Sequence, residues 1–211
     1  MYLVKTPSLI QRLLPSYLWR IPTQEKVLYL TFDDGPIPEI TPWVLKLLKA
    51  YDAKATFFCV GDNVRKHPDI FRQLQLAGHA VGNHTFHHLD GWKTRTQVYL
   101  ANVATCTSQL GSSVLFRPPY GHLKPTQAKA IKKNHRIVLW DVLSGDFDVH
   151  LTPEKCLANV LAATKKGSII VFHDSLKAAP RLQYVLPEVL DYYSRKGFRF
   201  EAINEELVVK Y

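Results

Sequence analysis

Two adjacent carboxylates, Asp33 and Asp34, close the apolar run that begins at Val27 and stand directly before Gly35-Pro36. Neighbouring side chains on an extended strand point to opposite faces, so such a pair suits two roles better than one. A turn capped by Asp produces the same pattern without any chemistry. Farther on, His84-Thr85-Phe86-His87-His88 sets two imidazoles four residues apart. On one helical turn such residues face the same side and can share a metal. Two His and one carboxylate leave open the coordination position that a catalytic metal needs. His87 competes as a ligand and ranks below His88; a surface histidine cluster is the plain alternative. His79 precedes a strand and reads as structural or exposed.

Three more segments complete the inventory. Arg117-Pro118-Pro119-Tyr120-Gly121 is a loop whose two prolines fix the backbone, and an Arg entering it could clamp a carboxylate through both oxygens or simply face solvent. Residues 140–147 carry Asp141 and Asp146 past a strand that reads as buried, and the apolar run 169–172 ends on His173-Asp174. Singly, each has a bland reading. Together they supply metal ligands, a carboxylate base, an Arg partner and a second His, which is the equipment of metal-assisted hydrolysis.

The elements that must position these groups are legible as alternation. Apolar, β-rich runs at 27–32, 55–60, 79–82, 114–116, 137–142, 168–172 and 198–203 read as strands. Between them, Thr41-Pro42 and Thr152-Pro153 open helices, Thr94 with Gln97 forms a capping box, and Gly78, Gly167 and Gly197 sit where helices stop. Strands alternating with helices imply a parallel sheet, open or closed. Polar residues follow five different strands, and only a barrel brings every strand's C-terminal end to one mouth. An α/β barrel is therefore expected.

The bulk numbers narrow the class further. A chain of 211 residues, 46% hydrophobic and without repeats or low-complexity linkers, reads as one domain. Its 27 Lys and Arg against 18 Asp and Glu give a net charge of +9, which attracts polyanions nonspecifically. The basic residues come singly or in pairs without aromatic interleaving, so no nucleic-acid platform is expected. Cys59, Cys106 and Cys156 are odd in number and lack a CxxC spacing, and read as buried thiols. The apolar stretch 13–19 is short and broken by Pro15, so it fits neither a signal peptide nor a spanning helix. Residues 1–24 are expected to form an extension packed on a domain of residues 25–211, or an amphipathic flap against a membrane surface. A cytoplasmic or membrane-peripheral monomer is the resulting expectation.

Thr31–Pro36, His84–His88, Arg117–Gly121, the Asp146 segment and the strand ending at His173 occur in the order of five motifs. In this the chain resembles the polysaccharide deacetylases with the NodB homology domain, carbohydrate esterase family 4, over roughly residues 25–203. The resemblance implies a distorted (β/α)7 barrel, a divalent metal, zinc first with cobalt or nickel as alternatives, and an acetylated glycan as partner. Carried over by position, it implies Asp34, His84 and His88 as ligands and Asp33 as the base that takes a proton from water. It further implies His173 as the acid, Arg117 orienting Asp33, Asp146 supporting His173, and the backbone N–H of Tyr120 facing the oxyanion.

The chain also departs from the pattern. Where the family often has Asp-x-x-Asp-Trp, Leu143 stands first and Phe147 last, and Val171 replaces the usual Leu two residues before the acid His. Phe147 keeps an apolar wall but lacks the indole N–H, and Val171 keeps an apolar surface for the acetyl methyl. No catalytic group is lost, so an active deacetylase, most simply of N-acetyl groups, is expected. A barrel that binds glycans without turnover would be marked by a missing ligand or base. A hydrolase of a non-glycan amide would be marked by failure to release acetate from acetylated sugars.

Overall fold

The computed structural model describes residues 3–111, 113–203 and 207, so the outermost residues of the expected extension and domain lie outside the described residues. In chain order the elements are α1 Ser8–Leu13, β1 Val27–Asp33, α2 Thr41–Ala50, β2 Ala55–Cys59, α3 Gly61–Lys66, α4 Pro68–Leu76, β3 Ala80–Asn83 and α5 Thr96–Leu110. They continue with β4 Leu115–Phe116, a 3-10 turn at Pro119–Gly121, α6 Pro125–Ile131, β5 Arg136–Ile137, β6 Val142–Leu143, α7 Pro153–Ala163, β7 Ile169–His173, α8 Ala179–Arg195 and β8 Arg199–Phe200.

The strands pair in parallel in the order β5-β4-β3-β2-β1-β7-β6, with β8 added to the start of β1. The expected strand at 137–142 is thus two short strands, one pairing with β4 and the other with β7. Because β5 and β6 belong to one kinked stretch of chain, the sheet curls until its two edges are the same segment. This is a distorted (β/α)7 barrel. Residues 138–141, between the half-strands, cannot pair on both sides, and the N-terminal segment covers them: Leu18 bridges Val138 and Lys5 bridges Val142.

All of β1 is buried, and its side chains divide by parity. Leu28, Leu30 and Phe32 pack with Val44, Leu48 and Leu186 of the surrounding helices, where Phe32 stacks on Phe57 at 4.9 Å. Val27 and Tyr29 join a smaller cluster with Phe58, Val138, Ile169 and Leu18. Continuing that second face, Thr31 and Asp33 lead to the mouth. A period-2 strand with both faces buried explains why the run looks uniformly apolar in sequence.

Helix ends depart from expectation in two places. Thr152 caps α7, its Oγ1 accepting from the Lys155 N–H at 3.3 Å. The capping box expected at Thr94 and Gln97 does not form: α5 begins at Thr96 after Arg95, and Thr94 Oγ1 donates instead to the Asp90 carbonyl at 2.7 Å. Gly78 and Gly197 follow helices at positive φ, but Gly167 lies in the turn into β7. A Cβ there would meet the Ile21 carbonyl oxygen at 1.8 Å, so the glycine serves the crossing N-terminal segment rather than a helix end.

Candidate active site

The C-terminal ends of β1, β3, β4, β6 and β7 open on a cavity of about 450 Å³ lined by Asp33, Asp34, His84, His88, Tyr120 and His173, among others. Asp33 and His173 are register partners on neighbouring strands, which sets them side by side at the mouth. Asp34 takes a left-handed backbone, φ 87°, and leaves the strand direction at once. That bend is made possible by Gly35, whose missing side chain admits Asp174: a Cβ would lie 2.0 Å from its Oδ2. Asp174 is fully buried, accepts from the Gly35 N–H at 3.0 Å and from the Thr41 hydroxyl at 2.5 Å, and burial, aided by Asp34, pushes its carboxyl up to about 8.

Asp34, His84 and His88 present ligand atoms that all lie within 4.8 Å of one another. They do not use a helical turn. Residues 84–88 form a loop after β3 in which Thr85 and His88 have positive φ, and this loop folds His88 Nε2 to 3.2 Å from Asp34 Oδ1. His84 Nδ1 lies 2.8 Å from the Arg117 carbonyl, which can only accept, so Nδ1 carries the proton and Nε2 offers its lone pair. Burial, with His88 adding, lowers the His84 pKa to about 4 against the pull of Asp33 and Asp34, so the ring is neutral at physiological pH. A neutral imidazole with its tautomer fixed, a second imidazole and a carboxylate held low by the surrounding histidines despite burial are a donor set suited to a divalent metal. His87 turns the other way, with Nδ1 2.9 Å from Asn102 Nδ2. His79 accepts from the Ala55 N–H at 3.2 Å in the barrel wall, away from the cluster.

Arg117 is wholly buried and reaches into the barrel from the end of β4. It donates through Nη1 to Asp33 Oδ1 at 2.7 Å and to Thr31 Oγ1 at 2.7 Å, through Nη2 to the Leu139 carbonyl at 3.0 Å, and through Nε to that of Val138 at 3.2 Å. Its guanidinium also lies over the Phe58 ring at 4.0 Å. Burial lowers its pKa and Asp33 opposes that, so the buried cation is matched by a buried anion.

On the other flank Asp146, with no exposed surface, holds His173 twice, accepting from its backbone N–H at 2.8 Å and facing its Nδ1 at 2.8 Å. Burial pulls the imidazole down, but the Asp146 charge and hydrogen bond, with Asp34 and Asp33, outweigh it and raise the pKa to about 9. Phe147 packs edge-on against the ring at 5.1 Å. Asp141, the other carboxylate of that segment, lies elsewhere: it accepts from Ser168 Oγ at 3.2 Å near the start of β7. Leu143 and Val171 line the cavity, and the exposed Tyr120 lays its ring edge-on to His88 at 4.8 Å.

Several contributors lie outside the sequence motifs. Arg181 of α8 donates from Nε to the Asp146 carbonyl at 2.6 Å and also bonds the Lys177 carbonyl, pinning the loop that carries Asp146. Trp140, His122, Ser175 and Lys177 complete the cavity wall. Trp140 and His122 adjoin motif residues and could have been found by proximity; Arg181 had no local signal.

A parallel barrel whose strand ends gather a carboxylate–imidazole cluster, an Arg-held Asp and an Asp-held His has the make-up of a metal-assisted hydrolase. Residues 20–137 match the family model described as polysaccharide deacetylase. The chain is 31% identical over 199 residues to a peptidoglycan-N-acetylglucosamine deacetylase of Bacillus cereus, covering 92% of this chain and 93% of that protein. It is 35% identical to a chitooligosaccharide deacetylase of Azorhizobium caulinodans, covering 74% and 77%. A crystal structure of a peptidoglycan N-acetylglucosamine deacetylase superposes with a TM-score of 0.80 at 30% identity, covering 94% and 95% of the two chains. A pseudoenzyme of carbohydrate esterase family 4 from Bacillus anthracis, 22% identical with a TM-score of 0.78 over 90% and 68%, shares the fold. The chain belongs to the polysaccharide deacetylases, hydrolases that remove acetyl groups from carbohydrates and depend on a metal.

Proposed function

We propose that this protein hydrolyses the N-acetyl group of N-acetylglucosamine units in a glycan, with Asp33 as general base and His173 as general acid. The supporting observation is the meeting of two prearranged pairs, Arg117–Asp33 and Asp146–His173, in one cavity beside the Asp34, His84 and His88 cluster. Those three residues would hold the metal, and two imidazoles with one carboxylate suit zinc first, cobalt or nickel next. When bound, the ion supplies positive charge that polarises an acyl oxygen and makes water acidic near neutral pH.

The remaining steps belong to the chain. Arg117 occupies Asp33 Oδ1, which leaves Oδ2 as the oxygen facing the cluster, 4.0 Å from His84 Nε2, and therefore as the atom that accepts the water's proton. Asp146 fixes the proton on His173 Nδ1, so Nε2–H is the end directed at the leaving amine, which departs protonated. Among the described residues no backbone acceptor pairs with the Tyr120 N–H, which leaves this donor for the developing oxyanion. Val171 and Leu143 offer the acetyl methyl an apolar wall. The glycan follows the named relatives, which act on peptidoglycan N-acetylglucosamine and on chitooligosaccharides.

Acetate release from peptidoglycan fragments, chitooligosaccharides and acetylated xylan, with and without chelator, tests this reading. Chelator-sensitive release from the first two supports it. Release from xylan alone would move the activity to O-acetyl groups, and no release from any would leave a glycan-binding barrel.

A further inference from the structure

Among the described residues, 3–14 hold an unusual share of the exposed large aliphatic side chains. Leu9 is 66% exposed and Leu13 70%, and Leu3, Ile10 and Leu14 are exposed as well, while α1 buries none of its residues. A helix of six residues does not hold itself together in water. This one is held by its ends. The Thr6 N–H donates to the Asp141 carbonyl at 3.0 Å, the Leu18 N–H to that of Ile137 at 2.9 Å, and Trp19 Nε1 to that of Leu14 at 3.0 Å. The tethers presents the apolar side chains outward instead of folding them onto the barrel.

Beside this helix lies a second cavity, about 420 Å³, lined by Gln11, Tyr17, Trp19, Arg20 and Arg136 with no carboxylate in its wall. The Nε atoms of Arg20 and Arg136 are buried and, among the described residues, have no hydrogen-bond partner. Both arginines are only partly buried and line the cavity with no acid beside them there, and phosphate oxygens match the guanidinium geometry. Lys132 adds charge at the rim, its Nζ 3.2 Å from Ser16 Oγ and 5.6 Å above the Tyr17 ring. Tyr17 and Trp19 are side chains that favour the level of lipid headgroups.

We propose that this face docks on an anionic bilayer, Leu9, Ile10, Leu13 and Leu14 entering the acyl boundary while Arg20 and Arg136 take a lipid phosphate. Charge selects this occupant over a second copy of the chain, since two bodies of +9 repel whereas an anionic surface attracts. Insertion of a few side chains from one six-residue helix is an interfacial mode of attachment, in which apolar burial and attraction to anionic lipid add. The same segment reaches the active cavity: the Val4 carbonyl accepts from the N–H of Leu143, a residue of the cavity wall, at 2.8 Å.

Co-sedimentation of the full chain with vesicles of phosphatidylcholine alone, or mixed equally with phosphatidylglycerol, tests the proposal. Binding is expected on the mixed vesicles, weakening as salt rises. Leu9→Ser with Leu13→Ser should lower the binding constant about tenfold or more, since two inserted side chains lose their apolar transfer. Arg20→Gln with Arg136→Gln should bring binding on mixed vesicles down to the phosphatidylcholine level. Unchanged thermal unfolding of the leucine variant, whose sites are exposed, keeps the test valid should the arginine variant misfold. Absence of wild-type binding, or binding insensitive to the leucine changes, would overturn the proposal. So would saturation by inorganic phosphate without vesicle binding, which marks a soluble-anion site, or a dimer dissolved by the leucine changes, which marks a contact between copies.

Discussion

Replacing Asp146 by Asn removes one negative charge from beneath His173 while leaving the side chain's outline. In the native protein both carboxylate oxygens are used, Oδ2 by the His173 N–H and Oδ1 by Nδ1, each at 2.8 Å. Burial opposes the imidazolium, and the Asp146 charge and hydrogen bond lead the groups that nevertheless lift its pKa to about 9. Without that charge the pKa falls toward the ordinary value of about 6.5. An acid that must be protonated then loses roughly thirtyfold in available form at pH 8 and less than twofold at pH 6. A cation in the neighbouring cluster offsets the Asp34 and Asp33 shares of the lift, so the native alkaline limb lies at or below pH 9 while the direction of change is the same. The amide also sets an NH2 against one of the two donors, costing about 1–3 kcal/mol. The assay is kcat/KM against pH on one acetylated oligosaccharide, with metal content checked at both ends. Coincident alkaline limbs for Asp146→Asn and wild type would refute the reasoning, because a merely structural role lowers the rate without moving the limb.

The same pair links stability to pH. A histidine raised from 6.5 to about 9 on folding contributes stability that is complete below pH 6.5 and lost as pH rises through 9, on the order of 3 kcal/mol; chelator-treated wild type should lose that increment on denaturant titration and Asp146→Asn should not. Elemental analysis should find one divalent metal per wild-type chain and markedly less in His84→Ala, since that substitution removes the ligand whose tautomer the Arg117 carbonyl fixes. Asp33→Asn should keep the metal but lose about 10²–10⁴-fold in turnover, because an amide cannot take a proton; retention of more than about a tenth of the activity moves the base elsewhere. Arg117→Met should cost about 3–5 kcal/mol at neutral pH by leaving Asp33 buried and unpaired, and denaturation midpoints close to those of wild type would show that the ion pair does not carry that weight.

How much of this was legible beforehand depends on what local spacing encodes. The alternation of strands and helices, the order of the motif segments and the spread of polar residues over several strand ends are properties of short stretches, and they sufficed for the barrel and the family. Where two distant stretches had to meet, spacing misled. His84 and His88 suggested a helical turn because four residues match one turn, yet their loop uses left-handed backbone to bring them together. The strand expected at 137–142 breaks in two because its halves pair with opposite edges of the sheet, and Asp141 consequently faces Ser168 rather than His173.

The sequence by itself determined which elements form and which chemical groups are available, because hydrophobic period, capping residues and residue types act over a few positions. Tertiary structure decided what those groups are. Arg117 is a buried partner of Asp33 only because closure of the barrel places the Thr31 hydroxyl and the Val138 and Leu139 carbonyls around its guanidinium. His173 keeps its proton near neutral pH only because Asp146, 27 residues away, is brought beneath it and held there by Arg181. Gly167 became indispensable only where the N-terminal segment crosses it. A pKa or a buried ion pair depends on distances and dielectric fixed by parts of the chain far apart in sequence, and these exist only once the chain has closed on itself.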